Sequence, residues 1–315
     1  MKKKAIIISI KGTELSKEEK KLIKEEKPWG LILFKRNLKN FNQAKILIKD
    51  IKKASKDKYF PIMIDEEGGA VTRISNFLDT KVYSQFFFGN IYENNAILGT
   101  SLYENYIFSL SSVLKILGIN INTVPVLDVV QKKTHKIIGS RSYSKNPKTI
   151  KYLGSKCINA YKKSKIGTVI KHIPGHGSSI VDSHESLPII RKTLKELIKL
   201  DFYCFKNMNS NFAMTAHIIY SKLDSKNVAT HSSIIINKII RKKLNYKGII
   251  ISDDISMKAL KYDIITNAKK SLEAGCNLVL YCAGKYEDSL KLIKQMPYID
   301  AFTRKKTSEF YNFLS

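Results

Sequence analysis

The sequence predicts a single TIM-like (β/α)8 barrel, and three observations carry that expectation. Eight short apolar, β-branched runs, mostly bounded by Gly or Pro, recur along the 315 residues, as strands buried on both faces do. Helical patterns alternate with them, which is the arithmetic of a parallel sheet closed by crossover helices. Ionisable residues sit at the C-terminal ends of several runs, the face on which such barrels build their sites.

Taken in order, strands are expected at Ala5–Ser9, Gly30–Phe34, Pro61–Asp65, Ile121–Asp128, Gly167–His172, Phe212–His217, Gly248–Asp254 and Asn277–Cys282. Glu14 to Lys24 reads as a charged amphipathic helix. From about Asn76 to Gly118 the pattern is least regular; the aromatic run Phe86–Phe88 suggests an extra loop before a long helix. Asn146 followed by Pro147 is an N-cap with Pro at the first helical position, opening a helix to about Ser164. Thr230 is expected to cap a helix through Ile239 and Leu244, ended near Gly248. Residues 286–315 read as closing helices, so 1–315 is expected to form one barrel domain without linker or repeat.

Composition narrows the partners. Hydrophobic residues at 43% supply one large core, while 55 Lys and Arg against 27 Asp and Glu give a net charge of +28. Such a charge can serve nucleic acid or an anionic membrane. Here, however, the cations are mostly Lys spread over every predicted helix surface, with no aromatic interleaving and no nucleic-acid motif. They read as a solvated coat that assists attraction of anionic ligands, with neither a nucleic-acid nor a membrane partner expected. Four cysteines without C-x-x-C spacing read as buried, reduced thiols. The apolar part of MKKKAIIISIKGTE falls short of the ~7–15 residues of a signal h-region. No apolar run approaches the ~20 residues that span a bilayer. A soluble cytoplasmic protein is the expectation; the oligomeric state is not legible, and a monomer is the default.

Three of the six histidines, His172, His176 and His184, fall in one window with Asp182, KHIPGHGSSIVDSHESLP (Lys171 to Pro188). Histidine changes charge near neutral pH, and a nearby carboxylate tunes its basicity, so Asp182-x-His184 in a Gly-rich loop is a plausible proton-transfer device. Against it stands an ordinary polar loop. Asp65, Asp128, His172, His217 and Asp253 each end a predicted strand and so converge on one mouth. Asp253, in IISDDISM, is aimed as a nucleophile or metal ligand would be, whereas Asp254 suits an N-cap. In IDEEGGAVTRI, the Gly68-Gly69 turn brings Arg73 back towards Asp65, a pair able to hold a vicinal diol. His176 reads as loop-shaping, and His217 as floor or satisfied core in equal measure.

These stretches, with GLILFKRN, VPVLDVV, IIGSRSYSKNP and MTAHIIYSKLD, are similar in order and spacing to the bacterial β-N-acetylhexosaminidases of glycoside hydrolase family 3, the NagZ-type enzymes of peptidoglycan recycling. KHIPGHG with DSH is the specific part; GLILFKRN alone is weak. The resemblance implies a retaining glycosidase with Asp253 as nucleophile, His184 as general acid/base and Asp182 as its paired carboxylate. Asp65, Arg73, Arg141, Lys171 and His172 match positions that hold N-acetylglucosamine. It further implies no metal or organic cofactor, and as substrate N-acetylglucosaminyl-anhydro-N-acetylmuramic acid with or without a stem peptide. Ser9, where many members carry a carboxylate, and Glu66-Glu67, in place of the more usual Gln-Glu, depart from the pattern. Two other enzymes stay open beside it: a phosphorylase passing the sugar to phosphate, and a metal-dependent hydrolase using the histidines and aspartates. A basic binding protein on an inactive barrel is the rival from another class.

Overall fold

A computed structural model describes residues 2–131, 139–179 and 187–315. Eight parallel strands close into a barrel: β1 (Lys4–Ile8), β2 (Pro28–Leu33), β3 (Ile62–Ile64), β4 (Ile121–Asn122), β5 (Gly167–Ile173), β6 (Phe212–Thr215), β7 (Ile249–Asp254) and β8 (Leu278–Tyr281). Each pairs with its neighbours in sequence, and β8 pairs with β1. All eight coincide with the expected runs, although β4 is shorter than anticipated: regular pairing ends at Asn122, beyond which single backbone bonds continue, Thr123 N to Ile64 O at 2.9 Å and Val169 N to Val124 O at 3.0 Å, with a bridge between Val126 and Lys171.

Helices α1 (Lys17–Glu26), α2 (Phe41–Ser55), α3 (Gln85–Asn94), α4 (Ala96–Leu117), α5 (Pro147–Lys163), α6 (Leu194–Lys199), α7 (Ile264–Ala274), α8 (Tyr286–Gln295) and α9 (Ala301–Leu314) surround the sheet. Their starts are chemically specified. Ser16 and Glu19 form a reciprocal capping box for α1, and the Asn146 side chain accepts the Lys148 amide at the head of α5. Two expected caps are corrected. Thr230 is buried against Thr215 and His217, and the following helix, a π-helical segment, runs Ile234–Lys243, with Ser232 Oγ accepting the Ile235 amide. Asp254 caps a turn rather than a helix: it accepts from the amide and hydroxyl of Ser256, while α7 starts later on Asp263.

The period-2 alternation of the strands sorts the core into two layers. Ile6, Leu31, Ile62, Ile170 and Ile250 face outward to the helices. Ile7, Met63, Ile121, Val169, Phe212, Met214, Ile249 and Ile251 fill the barrel. At the N-terminal end of the barrel, α9 plugs the interior. Phe310 packs edge-on against Phe212 at 5.1 Å, Trp29 Nε1 donates to Thr307 at 2.9 Å, and Lys3 and Tyr311 both donate to Asp57. Among the described residues, no helix is long and apolar enough to cross a membrane.

Since α9 supplies part of the barrel's own interior, residues 286–315 are expected to unfold with the strands. Phe310→Ala should destabilise the protein by about 3–5 kcal/mol in a single urea transition; a separate early transition of the C-terminal helices would show that they are an appendage.

Candidate active site

The same alternation builds the mouth. One step of two residues beyond the inward-facing Met63, Ile121, Val169 and Ile251 lie Asp65, Thr123, Lys171 and Asp253. Their side chains therefore form the next rung of the barrel, where apolar filling gives way to charge. Asp65, Lys171, Asp253, Arg73, Arg141 and His172 all line one cavity of about 360 Å³ at this end, with Glu67, Ser140 and Met214. That volume lies within the about 300–1,000 Å³ usual for small-molecule sites.

Lys171 is the centre of the ionic network. Its ammonium lies 2.6 Å from Glu67 Oε1 and 3.2 Å from Asp65 Oδ1, and donates to Thr123 Oγ1 at 2.9 Å. Arg141 grips Glu67 through two parallel bonds, Nε–Oε2 at 2.8 Å and Nη2–Oε1 at 2.9 Å. Arg73 Nη2 donates to Asp65 Oδ2 at 3.1 Å, and Thr123 also donates to Asp65. Burial works against both carboxylates, but their cations outweigh it. Lys171 and Arg73 hold Asp65 well below the usual range, while Arg141 and Lys171 bring Glu67 down to about 2. Both are anions at neutral pH.

The turn that returns Arg73 to the mouth requires glycine. Gly68 and Gly69 have φ of 77° and 65°, and a Cβ on Gly68 would stand 2.1 Å from the Tyr83 carbonyl oxygen. Beneath the turn, Glu66 accepts from the Arg73 and Ile74 amides and from the Thr72 and Thr80 hydroxyls. Burial raises its pKa, with these hydrogen bonds opposing the shift.

His172 is oriented from behind. Its Nδ1 lies 2.7 Å from Asp128 Oδ2, so Nδ1–H donates to the carboxylate and Nε2 is the acceptor in the neutral ring. Asp128 also accepts the His176 amide at 2.6 Å. Asp128 is thus fully buried behind the mouth rather than on it, and burial pushes the His176 ring down to about 4. His217 proves to be a core residue: Nε2 donates to the Asp254 carbonyl at 3.0 Å and Nδ1 accepts from Thr230 at 2.7 Å. Asp253 Oδ1 accepts the Asp254 amide at 2.8 Å. Ser9, lacking a carboxylate, accepts from Arg36 Nη2 at 2.7 Å.

The cavity therefore unites six of the eight residues to which the resemblance gives a role; Asp182 and His184 lie outside the described residues. Sequence reasoning gave no role to Glu67 or Thr123. Thr123 had a signal, its position two residues beyond an inward Ile121; Glu67 had none, because its partners lie 74 and 104 residues away. Among the described residues, no group of three or more His, Cys, Asp or Glu is arranged to hold a metal ion.

The sequence profile of the glycosyl hydrolase family 3 N terminal domain matches residues 2–301. The chain belongs to this family. It is 32% identical over 308 residues to the beta-hexosaminidase of Haemophilus influenzae Rd, covering 94% of this chain and 86% of that protein. NagZ from Neisseria gonorrhoeae in complex with N-trifluoroacetyl-D-glucosamine superposes with a TM-score of 0.88 at 28% identity, over 100% of this chain and 91% of that one. The family 3 beta-N-acetylglucosaminidase of Paenibacillus sp. str. FPU-7 gives 0.86 at 26%, but this chain spans only 60% of its length and 98% of its own. Within the family, then, the protein is a glycosidase of the β-N-acetylhexosaminidase type.

The ion pairs make an acid-stability prediction. Glu67 is lowered from 4.5 to about 2 on folding, so its contribution is complete above about 4.5 and is lost as pH falls through about 2. In Glu67→Gln, which leaves Lys171 and Arg141 short of a buried counter-ion, the cost at pH 7 should be about 3–5 kcal/mol. The gap from wild type should narrow as pH falls from 4.5 to 2. Urea unfolding across that range checks it; a constant gap would mean that Glu67 is not the ionised partner.

Proposed function

We propose that the protein removes non-reducing terminal β-linked N-acetylglucosamine from small peptidoglycan fragments with retention of configuration, serving cell-wall recycling in the cytoplasm. The observation that carries this reading is the mouth itself: Asp253 projects from the last rung of β7 into a cavity whose other walls present Asp65, Arg73, Arg141, Lys171 and His172. A pyranose offers hydroxyls to bind and an anomeric carbon to attack. Asp65 can accept hydroxyl hydrogens while Arg73, Lys171 and His172 meet hydroxyls of the sugar, and Arg141 is available to a hydroxyl or the acetamido group.

Asp253 then attacks C1 as the leaving oxygen is protonated, and a covalent glycosyl-enzyme forms. Its carboxylate is held by the Asp254 amide. The proton comes from His184, with Asp182 holding the ring; the same histidine, neutral after the first step, takes the proton of the water that releases the sugar. Retaining enzymes usually divide these duties between two carboxylic acids. Here an imidazole replaces one of them. The substrate expected is N-acetylglucosamine joined to anhydro-N-acetylmuramic acid, with or without a stem peptide. The N-trifluoroacetyl-D-glucosamine held by the Neisseria NagZ supports the choice of sugar, and the net charge of +28 suits a carboxylated aglycone.

Hydrolysis of 4-nitrophenyl N-acetyl-β-glucosaminide, followed by proton NMR, should give the β-anomer first, and Asp253→Ala should abolish turnover. Release of the α-anomer first would overturn the retaining mechanism. Loss of activity in chelator would replace this reading with a metal-dependent one. A glucosaminyl phosphate product in phosphate buffer would make the enzyme a phosphorylase. His184→Ala should lose about 10²–10⁴-fold on an alkyl glucosaminide, whose leaving group needs protonation, and far less on the nitrophenyl substrate. Equal losses on both would remove His184 from the acid role.

A further inference from the structure

Among the described helices, α4 presents an outer face unlike the rest. Charge coats the others: eight of the ten residues of α1 are ionisable, and five of the fifteen of α2. The 22 residues of α4 include two, Glu104 and Lys115, and Glu104 is already engaged by Lys156 at 3.3 Å. In place of charge the outer face carries Ile97, Leu98, Leu102, Phe108 and Ile116, all exposed, Ile97 by 86% and Phe108 by 68%. Single apolar residues scattered over a surface are ordinary. Five along one helix, in a chain with 55 Lys and Arg, mark a contact surface.

Their arrangement is ordered. At about 100° per residue, Ile97 and Phe108 fall on one ridge and Leu98, Leu102 and Ile116 on another, with Ser101, Asn105 and Ser112 in the strip between them. A groove flanked by two ridges is what a second helix packs against. The face is also cheap to dehydrate, because Ser109 Oγ donates to the Asn105 carbonyl at 3.1 Å and Ser112 Oγ to the Phe108 carbonyl at 3.0 Å. Neither hydroxyl hydrogen then depends on water.

Charge decides what covers this face. An acidic protein or an anionic lipid surface gains most from the lysine coat, not from a helix face holding one cation. Two copies of the chain, at a net charge of +28 each, repel one another across that coat, and α4 is where they can meet without opposing lysines. The face is self-complementary as well. Antiparallel pairing about a two-fold axis at Asn105 sets Leu102 against Phe108 and Ser101 against Ser109 in both halves, and Lys115 against Asn95, so like charges are not opposed.

We propose that the outer face of α4 is a homodimer interface, in which two copies pack antiparallel about Asn105. At about 33 Å by 10 Å, the helix provides a contact at the small end of specific interfaces, so the dimer is a weak one. None of these residues lines the active-site cavity.

Sedimentation velocity of the full chain across micromolar concentrations, at low and high sodium chloride, tests this. A monomer–dimer equilibrium is expected that tightens as salt rises, because screening removes the repulsion and leaves the apolar contact. Phe108→Lys and Leu102→Glu should each raise the dissociation constant at least about tenfold, with the circular-dichroism spectrum and hydrolysis of the nitrophenyl glycoside unchanged. Combined in one chain, the two substitutions place opposite charges across the axis twice, and association should recover towards that of wild type. A chain that stays monomeric at every concentration and salt, or a dimer indifferent to Phe108→Lys, would overturn the proposal. Failure of the double variant to recover would overturn the antiparallel pairing on which it rests. A monomer that sediments with phosphatidylglycerol vesicles, and ceases to do so in Phe108→Lys, would assign the face to lipid instead.

Discussion

The arrangement of the mouth depends on one ammonium group. Lys171 is almost completely buried, and an isolated cation in that position would be strongly disfavoured. It is tolerated because Glu67 and Asp65 each supply an oxygen and Thr123 a hydroxyl. The compensation is reciprocal, since the two carboxylates are themselves enclosed and need the cation, and Arg141 and Arg73 complete the balance at the outer ends. A buried pair of this kind contributes little net stability relative to an apolar replacement. What it provides is a set of charged groups already desolvated and fixed in place, so that a ligand entering the cavity would require less ordering of them.

That view separates what the sequence reveals from what it conceals. Strand positions and the inward rung are local properties: Ile249, Ile251 and Asp253 share a parity, so an apolar strand interior leads directly to a carboxylate aimed down the barrel. The same reasoning distinguishes Asp253 from Asp254, which has the opposite parity and turns to Ser256 and Cys282. Charge partnerships are not local. Glu67 sits beside Glu66 in an acidic dipeptide, yet one carboxylate is locked between two cations and the other is buried among amides and hydroxyls with its pKa raised. Nothing in the dipeptide distinguishes them; the fold does. Thr230 misled for a related reason, since a hydroxyl before a helical run reads as a cap, whereas three-dimensional packing turns it to His217.

Asp201 shows the same limit in stronger form. In KLDFYCF it reads as an ordinary acid near the end of a short helix, and only tertiary contact with Ser178 reveals a buried carboxylate. Burial raises its pKa to about 6, with the Ser178 bonds and Lys192 opposing the shift. By contrast, the histidine-rich window is legible because its residue types are rare in this chain and crowded. Composition can mark a chemically unusual stretch; it cannot identify the groups that support it from behind.

The ionic character of the mouth also bears on why a histidine would carry the proton. A carboxylic acid serves as proton donor at neutral pH only if its surroundings raise its pKa, which takes an apolar niche or a second anion close by. In this mouth Lys171, Arg73 and Arg141 do the opposite, holding Asp65 and Glu67 ionised far below neutrality. A carboxyl placed among the same cations would lose its proton too early to donate it. An imidazole starts near about 6.5, already within reach of working pH, and a paired carboxylate, the role proposed for Asp182, would stabilise its protonated form without an apolar niche.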